Sequence, residues 1–462
     1  MKQLCLFLIL SLVFLPLAWS QLRIPAGGGS ASSENLQGIC LSPLQRQQDW
    51  EEIQSIRKRL IQQGKLKAVA SRQASVPPLN FPLRQKEGAH YSGYFGIANY
   101  VDHDNGSGLQ EFTCGNRTYD GHHGTDYFLW PFPWDMMARG EVEIIAAAAG
   151  TIISKIDGNF DKNCSWENTG GWNAVYIEHD DGTIAWYGHI KKNTLTNKAI
   201  GDRVNPGDYL GLVGSSGRST GPHLHLEFFT PSGATYDPYL GTCNPTTQLS
   251  GWEEQAPYIQ PTLNFIQTGD GPPDLSGECL REEFINASSE FRSGERVYFS
   301  SYFVDQLPDQ SATYKVYRPN GQVWVRWTFN PPQRFNASWW YWWEDLPPNA
   351  DQGIWTYEVV FEGDTLTQAF SVDVDVVSST TSVEEGISIG PNPFETYLNV
   401  ADKEGSPILV TISDICGRLV KSVQIHTEKS LVEVSTLPKG IYFVALHNRK
   451  GKQLMVSKMV KK

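Results

Sequence analysis

Two histidines separated by a single residue are the clearest sign of chemistry in this sequence. His223 and His225 lie in residues 221–228, where the apolar residues Leu226 and Phe228 predict a β-strand. Because side chains alternate along a strand, both imidazoles point to the same face of the sheet. Two adjacent imidazoles can share one metal ion, or one can bind the metal while the other acts on a bound water.

Further candidate ligands occur earlier in the chain. His122 and Asp126 lie four residues apart around Gly124, which lets the backbone bend so that both side chains can reach one ion. Imidazole and carboxylate are good zinc ligands, and one histidine of the 221–228 strand would complete a set of three. Three protein ligands leave one position for water, which is the catalytic arrangement. His189, at the end of a predicted strand, adds another imidazole.

A region of short strands must position these side chains. Between residues 79 and 243, strand-like runs alternate with Gly, Asn and Asp, as at residues 143–148, 150–156, 174–179 and 183–187. This spacing predicts an antiparallel sheet domain. Eight of the ten histidines fall inside it, which is more than a β-domain needs for packing.

Three of these histidines have simpler interpretations. The four-residue spacing to Asp126 favours His122 over its neighbour His123. His179 precedes a predicted turn, and we expect it to be a structural residue at a strand end. His103 could bind a second ion, but a solvated loop is the favoured interpretation.

Length and composition set the wider frame. A chain of 462 residues is too long for one core and predicts roughly two to four domains. The net charge of −12 argues against a nucleic-acid partner. Residues 1–20 carry Lys2 and a short apolar run, which predict a secretory signal peptide, and no later stretch predicts a membrane span.

Six cysteines remain once Cys5 is removed with the predicted signal peptide, an even number that permits disulfides in an exported chain. Their pairing cannot be deduced from the sequence. We favour two pairs, with unpaired buried thiols as the alternative: Cys114–Cys164 and Cys243–Cys279.

Residues 21–78 form an N-terminal segment with one predicted helix. Residues 21–34 are rich in Gly and Ser and are expected to be flexible. Apolar residues recur at helical spacing over residues 43–64, and Gly64 is a plausible stop. The segment is either a pro-segment that lies on an enzyme or an N-terminal brace, and the sequence does not separate these.

Taken together, residues 79–239 resemble the lysostaphin-type (LytM-like) zinc metallopeptidases. Each motif is weak alone, and their occurrence in order within a glycine-rich frame makes the resemblance specific. It rests on the following sequences: His122-x-Gly-x-Asp126, Tyr187-x-His189, His223-x-His225, the run 207–223 and the run 146–153.

The resemblance implies a secreted zinc metalloendopeptidase in which His122, Asp126 and His225 hold one Zn²⁺. His189 and His223 would be catalytic residues beyond the metal, and which of them is the general base stays open. Zinc-activated water would attack the peptide bond without a covalent enzyme intermediate. The implied substrate is a cross-link or stem peptide of bacterial peptidoglycan.

Two other functions remain as alternatives. Members of this family that have lost ligands act by binding, so a non-catalytic cell-wall-binding or amidase-activator protein is one. The other is a broader secreted protease that acts on glycine-rich proteins. All five site positions are filled here, which favours the enzyme.

A second β-rich region covers residues 251–375 and predicts an immunoglobulin-like sandwich. Asn320-Gly321 between two strand-like runs is a hairpin signal. Residues 337–343 are densely aromatic. They either pack in a core and against the peptidase, or expose rings that stack on a sugar or polymer, and packing is the favoured interpretation.

Residues 386–462 resemble the C-terminal sorting domain of the type IX secretion system. The motifs are Ile387-Ser-Ile-Gly390-Pro-Asn392-Pro393-Phe394, Asp414-Ile-Cys-Gly417-Arg418 and Leu437-Pro-Lys-Gly440-Ile-Tyr442-Phe443. The resemblance implies export through the periplasm and outer membrane of a Gram-negative bacterium by the type IX machinery, to the cell surface or the medium.

The sequence therefore predicts a mainly β, monomeric, secreted protein. Its predicted parts are a signal peptide at 1–20, an N-terminal segment at 21–78, a zinc metallopeptidase domain at 79–245, an immunoglobulin-like domain at 251–375, a linker at 376–385 and a small β-sandwich sorting domain at 386–462.

Overall fold

A computed structural model gives the architecture of most of the chain. The predicted signal peptide and the linker at 376–385 lie outside the described residues. Among those residues no helix combines the length and apolarity needed to cross a membrane. The described residues are 21–30, 40–67, 78–89, 91–167, 170–275, 283–373, 387–402, 408–414, 419–425, 429–447 and 453–462.

The N-terminal segment begins with two short strands, β1 (Gln21–Leu22) and β2 (Gly27–Ser30). We expected this glycine-rich run to be flexible, and the structure corrects that expectation. β2 pairs with Trp339–Tyr341, where a Cβ on Gly27 would lie 2.5 Å from the Tyr341 ring. Residues without side chains can therefore pair closely with an aromatic strand.

Helix α1 (Pro43–Gln62) follows and confirms the predicted helix. Its start is fixed by a capping box between Ser42 and Gln45, with Pro43 in the first turn. Past its end, Gly64 adopts a left-handed φ of 70° that glycine accepts without strain. The face carrying Ile53, Ile56 and Leu60 is buried.

The predicted peptidase region contains two sheets and helix α2 (Pro133–Arg139). The larger sheet runs β10-β7-β8-β9-β12-β5-β4 with β13 beside β12, and the smaller runs β11-β6-β3. Every pairing within both sheets is antiparallel, as predicted. The strands are β3 (Leu83–Gln85), β4 (Phe95–Asn99), β5 (Gly124–Leu129), β6 (Val142–Ile145), β7 (Gly150–Ile156), β8 (Ala174–His179), β9 (Ile184–Gly188), β10 (Arg203–Val204), β11 (Tyr209–Leu212), β12 (His223–Phe229) and β13 (Thr235–Tyr236).

The two faces of the larger sheet are covered by different parts of the chain. On β12, Leu224, Leu226 and Phe228 belong to the main core of this region. Phe229, on the opposite face, packs in a separate cluster that contains the buried residues of α1. Helix α1 therefore covers the face that also carries His223 and His225.

The next region is a sandwich of two sheets that enclose one apolar core. One sheet runs β1-β18-β17-β20-β21-β15 and the other β14-β16-β19-β2, so the N-terminal strands add one edge strand to each. The immunoglobulin-like label stays a prediction. The strands are β14 (Thr262–Gly269), β15 (Glu290–Phe291), β16 (Arg296–Gln306), β17 (Ala312–Tyr317), β18 (Val323–Phe329), β19 (Phe335–Asp345), β20 (Gly353–Phe361) and β21 (Asp364–Val372).

The aromatic residues of β19 alternate between the two faces of the strand. Trp340 and Trp342 lie in the sandwich core, and Trp339 packs against the core of the peptidase region. Trp343 is 38% exposed, with the Arg296 guanidinium 3.7 Å from its ring centre. The structure therefore favours packing over a stacking platform for these rings.

The C-terminal residues form a small sandwich around a third core, as predicted. Its sheets run β22-β23-β26 and β25-β24-β27-β28. The strands are β22 (Ile387–Gly390), β23 (Tyr397–Asp402), β24 (Ile408–Asp414), β25 (Leu419–Ile425), β26 (Lys429–Glu433), β27 (Gly440–His447) and β28 (Gln453–Lys461).

The disulfide pairing that we favoured is wrong. Cys114 pairs with Cys243, 129 residues away, which excludes both expected pairs. A backbone hydrogen bond of 2.9 Å from Cys243 to Phe112 holds the two loops together, a long-range contact that sequence spacing does not reveal. Cys164 is also disulfide-bonded, and Cys279 lies outside the described residues.

Candidate metal centre

Strand register brings the predicted ligands together. His225 on β12 lies opposite Asp126 on β5 and opposite Gly188 on β9, so His189 follows directly beside it. His122 precedes β5 in the chain. Directly opposed residues on neighbouring strands have Cβ atoms about 5 Å apart, which suits side chains that share one ion.

The donor atoms of His122, Asp126 and His225 converge. Nδ1 of His225 lies 2.7 Å from Oδ1 of Asp126, and Nε2 of His122 lies 3.2 Å from Nδ1 of His225. The same Nε2 lies 3.3 Å from Oδ2 of Asp126. All three residues are at most 2% exposed.

Each of these side chains is oriented by a second partner. Nδ1 of His122 donates to the carbonyl of Tyr100 at 2.7 Å, and Asn99 donates to Oδ2 of Asp126 at 2.9 Å. Nε2 of His225 donates to Glu227 at 2.7 Å. This leaves one imidazole nitrogen on each histidine and a carboxylate oxygen directed at one point, which is the donor set and outer support that zinc takes in proteins.

His189 and His223 lie beside this trio, with ring centres 4.3 Å apart. Their Nδ1 atoms donate to the carbonyls of Ser216 at 2.5 Å and Gly221 at 2.8 Å. Their buried Nε2 atoms have no hydrogen-bond partner among the described residues. His189 also has a left-handed φ of 61°, a strained conformation that is concentrated at functional sites.

The surroundings shift the protonation of two of these groups. Burial alone would raise the pKa of Asp126, but the charges and hydrogen bonds of His122 and His225 hold that pKa well below its usual value. Burial and the charge of His223 lower the pKa of His189. Asp126 is therefore an anionic donor, and His189 is a neutral imidazole that can accept a proton.

Two residues that support the site escaped the sequence analysis. Glu227 is fully buried beneath His225 and forms a two-pronged ion pair with Arg46 of α1, one contact measuring 2.8 Å. Burial would raise the pKa of Glu227, yet Arg46 holds it well below the usual value. The two-residue spacing from His225 could have indicated Glu227, whereas no local pattern indicates Arg46.

Cys40 is the third residue that was missed. Its thiol is 2% exposed, and Sγ lies 3.1 Å from the Tyr119 hydroxyl and 3.5 Å from Nδ1 of His225. The sulfur lies within 4.8 Å of donor atoms in two pairs of residues. One pair is His189 with His223, and the other is Asp126 with His225. Nothing in the sequence around Cys40 pointed to this position.

Three other histidines that the structure describes lie outside the cluster. Nδ1 of His123 lies 3.0 Å from the Thr235 hydroxyl, and His179 contacts Thr183 at the turn, as expected. The solvated loop that we favoured for His103 is wrong. Its Nε2 lies 2.8 Å from the buried carboxylate of Asp237.

Comparison with known proteins gives two matches to protein families. Residues 133–238 match peptidase family M23, a range that contains His189, His223 and His225, while His122 and Asp126 precede it. Residues 388–462 match the secretion system C-terminal sorting domain. The sorting domain assigns the protein to the type IX route and to the cell surface or the extracellular space.

Individual relatives agree with the first match. Lysostaphin from Staphylococcus simulans is 24% identical over 237 residues, which are 46% of this chain and 39% of that protein. A peptidoglycan DD-endopeptidase from Vibrio cholerae is 34% identical over 100 residues, 22% of each chain. The solved catalytic domain of Staphylococcus simulans lysostaphin is 26% identical, covering 32% of this chain and 86% of that one, with a TM-score of 0.18.

This chain therefore spans less than half the length of these curated relatives. The matched ranges lie within the two segments that the motifs had indicated. The protein carries a lysostaphin-type peptidase family M23 domain and, at its C-terminus, a secretion-system sorting domain.

Proposed function

We propose that this protein is a secreted zinc metalloendopeptidase that hydrolyses peptide bonds in the cross-links or stem peptides of bacterial peptidoglycan. The observation that carries the proposal is the convergence of free donor atoms from His122, Asp126 and His225, each held by a second hydrogen bond. The proposed domains are those predicted at 79–245, 251–375 and 386–462, in a monomer.

The proposed roles follow from which atoms are free. His122, Asp126 and His225 would hold one Zn²⁺, which when bound supplies a Lewis acid that polarises a carbonyl and makes water acidic. The free Nε2 atoms of His189 and His223 can take the proton of the attacking water. They can also hydrogen-bond the developing oxyanion and return a proton to the leaving amine.

Metal content tests the proposal first. The purified chain should hold about one zinc, and His122→Ala should hold none. The matched control is His123→Ala, which removes the adjacent histidine that contacts Thr235 outside the cluster. A full-length chain without zinc, or equal zinc in both variants, would contradict the proposal.

Digestion of purified peptidoglycan identifies the peptide bond that the protein cleaves. The full-length chain and its Cys40→Ala variant, which removes the thiol beside His225, are incubated with peptidoglycans of different cross-link types. Mass spectrometry of the new ends separates cross-bridge, stem-peptide and general protein cleavage. Zinc binding and wall binding by both proteins without new ends would favour the non-catalytic alternative.

A further inference from the structure

Cys40 lies beside the candidate metal centre, where its thiol can bind the ion. Three ligands from the chain leave a fourth tetrahedral position, and thiolate sulfur is a preferred zinc ligand. Sγ lies 3.5 Å from Nδ1 of His225. Cys40, Asp126 and His225 each offer a donor atom, and these atoms lie within 4.8 Å of one another. The structure thus offers sulfur as a fourth donor to the same ion.

A second observation points to the same space. The buried Nε2 atoms of His189 and His223 lack hydrogen-bond partners among the described residues, although each ring is fixed through Nδ1. Each of these histidines has a ring nitrogen within 4.8 Å of Sγ. Buried polar atoms without partners are costly, so this cluster is built to receive a further group.

Helix α1 fixes the thiol in place. Arg46 pairs with the fully buried Glu227, and Arg57 pairs with the buried Glu178 at 2.6 and 3.0 Å. The apolar residues of α1 share a buried cluster with Trp172 and Trp186 of the sheet face. Apolar burial holds the segment against the sheet, and the two ion pairs fix where it lies.

The same segment closes the site. All five candidate site residues are at most 2% exposed, and Cys40 and Leu41 are themselves buried at 2% and 3%. On the other side of Cys40, β1 and β2 are paired into the two sheets of the sandwich. A substrate peptide therefore cannot reach His225 while the N-terminal segment keeps this position.

We propose that Cys40 is a fourth protein ligand of the metal ion and that residues 40–67 hold the enzyme in a latent form. The thiol gives up its proton to solvent when sulfur binds the ion. Displacement of the segment returns the position to water and opens the groove. This inference rests on the proposed zinc site, and it favours the pro-segment over the brace.

The spectrum of the cobalt-loaded protein tests the ligand. Full-length protein loaded with Co²⁺ should show a sulfur-to-cobalt charge-transfer band in the near ultraviolet. Cys40→Ser and Cys40→Ala should lose the band while each still binds one Co²⁺. The control is Cys416→Ser, at a thiol in the sorting domain, which should keep the band.

Activity tests the latency. If the bond from Cys40 to the metal keeps more than about nine molecules in ten closed at rest, Cys40→Ala should raise the rate of peptidoglycan hydrolysis about tenfold or more. One Co²⁺ bound without a charge-transfer band overturns the inference and leaves the proposed function standing. A lost band with unchanged hydrolysis overturns the latency. Failure to bind any metal overturns both proposals.

Discussion

The two faces of strand β12 are equally buried but differ in chemistry at the positions of its two histidines. On β12, Leu224 and Leu226 are 0% and 1% exposed on one face, while His223 and His225 are 2% and 1% exposed on the other. The leucines gain free energy simply by leaving water, about 1.5–3 kcal/mol each. The histidines gain nothing from burial unless their polar atoms are paired.

The difference shows what each face is for. On the face that carries the histidines, His225 donates a hydrogen bond to Glu227, and Glu227 pairs with Arg46 of α1. Replacing buried ionic groups by apolar ones is often neutral or stabilising, so such a chain is weak as a source of stability. We therefore expect the histidine positions of β12 to serve chemistry and the leucine positions to serve folding.

The largest expected contrast lies between two neighbours on β12. We expect His225→Ala to lose the metal and all measurable hydrolysis, because it removes a ligand. Leu226→Ala should lower the free energy of unfolding by about 2–5 kcal/mol and keep one metal per chain. Metal analysis and urea unfolding of both variants check this. If Leu226→Ala lost the metal and His225→Ala kept it, our assignment of the two faces of β12 would be wrong.

A smaller effect is expected at His189. Replacing it with Ala should leave the metal content unchanged and lower turnover by about 10²–10⁴-fold, the usual contribution of a positioned acid or base. Steady-state kinetics and metal analysis on the same preparation separate the two effects. His123→Ala serves as the control with wild-type turnover, and equal turnover in both variants would remove His189 from the mechanism.

Replacing Glu227, which orients His225, should have a smaller effect on metal binding than replacing a candidate ligand. Glu227→Gln removes the charge that orients His225 and should weaken metal affinity about 10–100-fold. Glu178→Gln is a matched control, because it breaks the ion pair with Arg57 on the same face without touching a ligand. Competition with a chelator measures both affinities, and an equal loss in the two variants would contradict a specific role for Glu227.

The last contrast concerns His179, which lies on the apolar face. His179 on β8 lies against Phe228, and burial lowers its pKa from 6.5 to about 4. The unfolded chain therefore binds more protons between these values, so His179 makes stability fall as the pH drops from 6.5 towards 4. The full effect is up to roughly 3 kcal/mol.

Urea unfolding at pH 7 and pH 4.5 measures this contribution. His179→Gln, which cannot take up the proton, should lose less stability than the wild type over that interval. Parallel losses in the two proteins would show that His179 titrates alike in the folded and unfolded chains.

The convergence of the candidate ligands was predictable because their positions follow from local rules. Strand alternation puts His223 and His225 on one face, and the spacing around Gly124 links His122 to Asp126. Helix α1 was equally accessible, since its apolar spacing and Gly64 lie within one short stretch.

The residues that close the site depend on contacts distant in sequence. Cys40 contacts His225 from 185 residues away, Arg46 contacts Glu227 from 181 residues away, and the Cys114–Cys243 pair spans 129 residues. Such contacts are set by how α1 and the loops pack on the sheet. The glycine run at β2 was misjudged for the same reason, because its partner strand lies in another region.

The position of the metal tests the account most directly. Crystals of the zinc-loaded full-length protein, measured on both sides of the zinc absorption edge, locate the ion without assumptions about its ligands. We predict one anomalous peak in contact with His122, Asp126 and His225, with the sulfur of Cys40 on its fourth side. A peak held by other residues, or none at this cluster in zinc-loaded protein, would contradict the account.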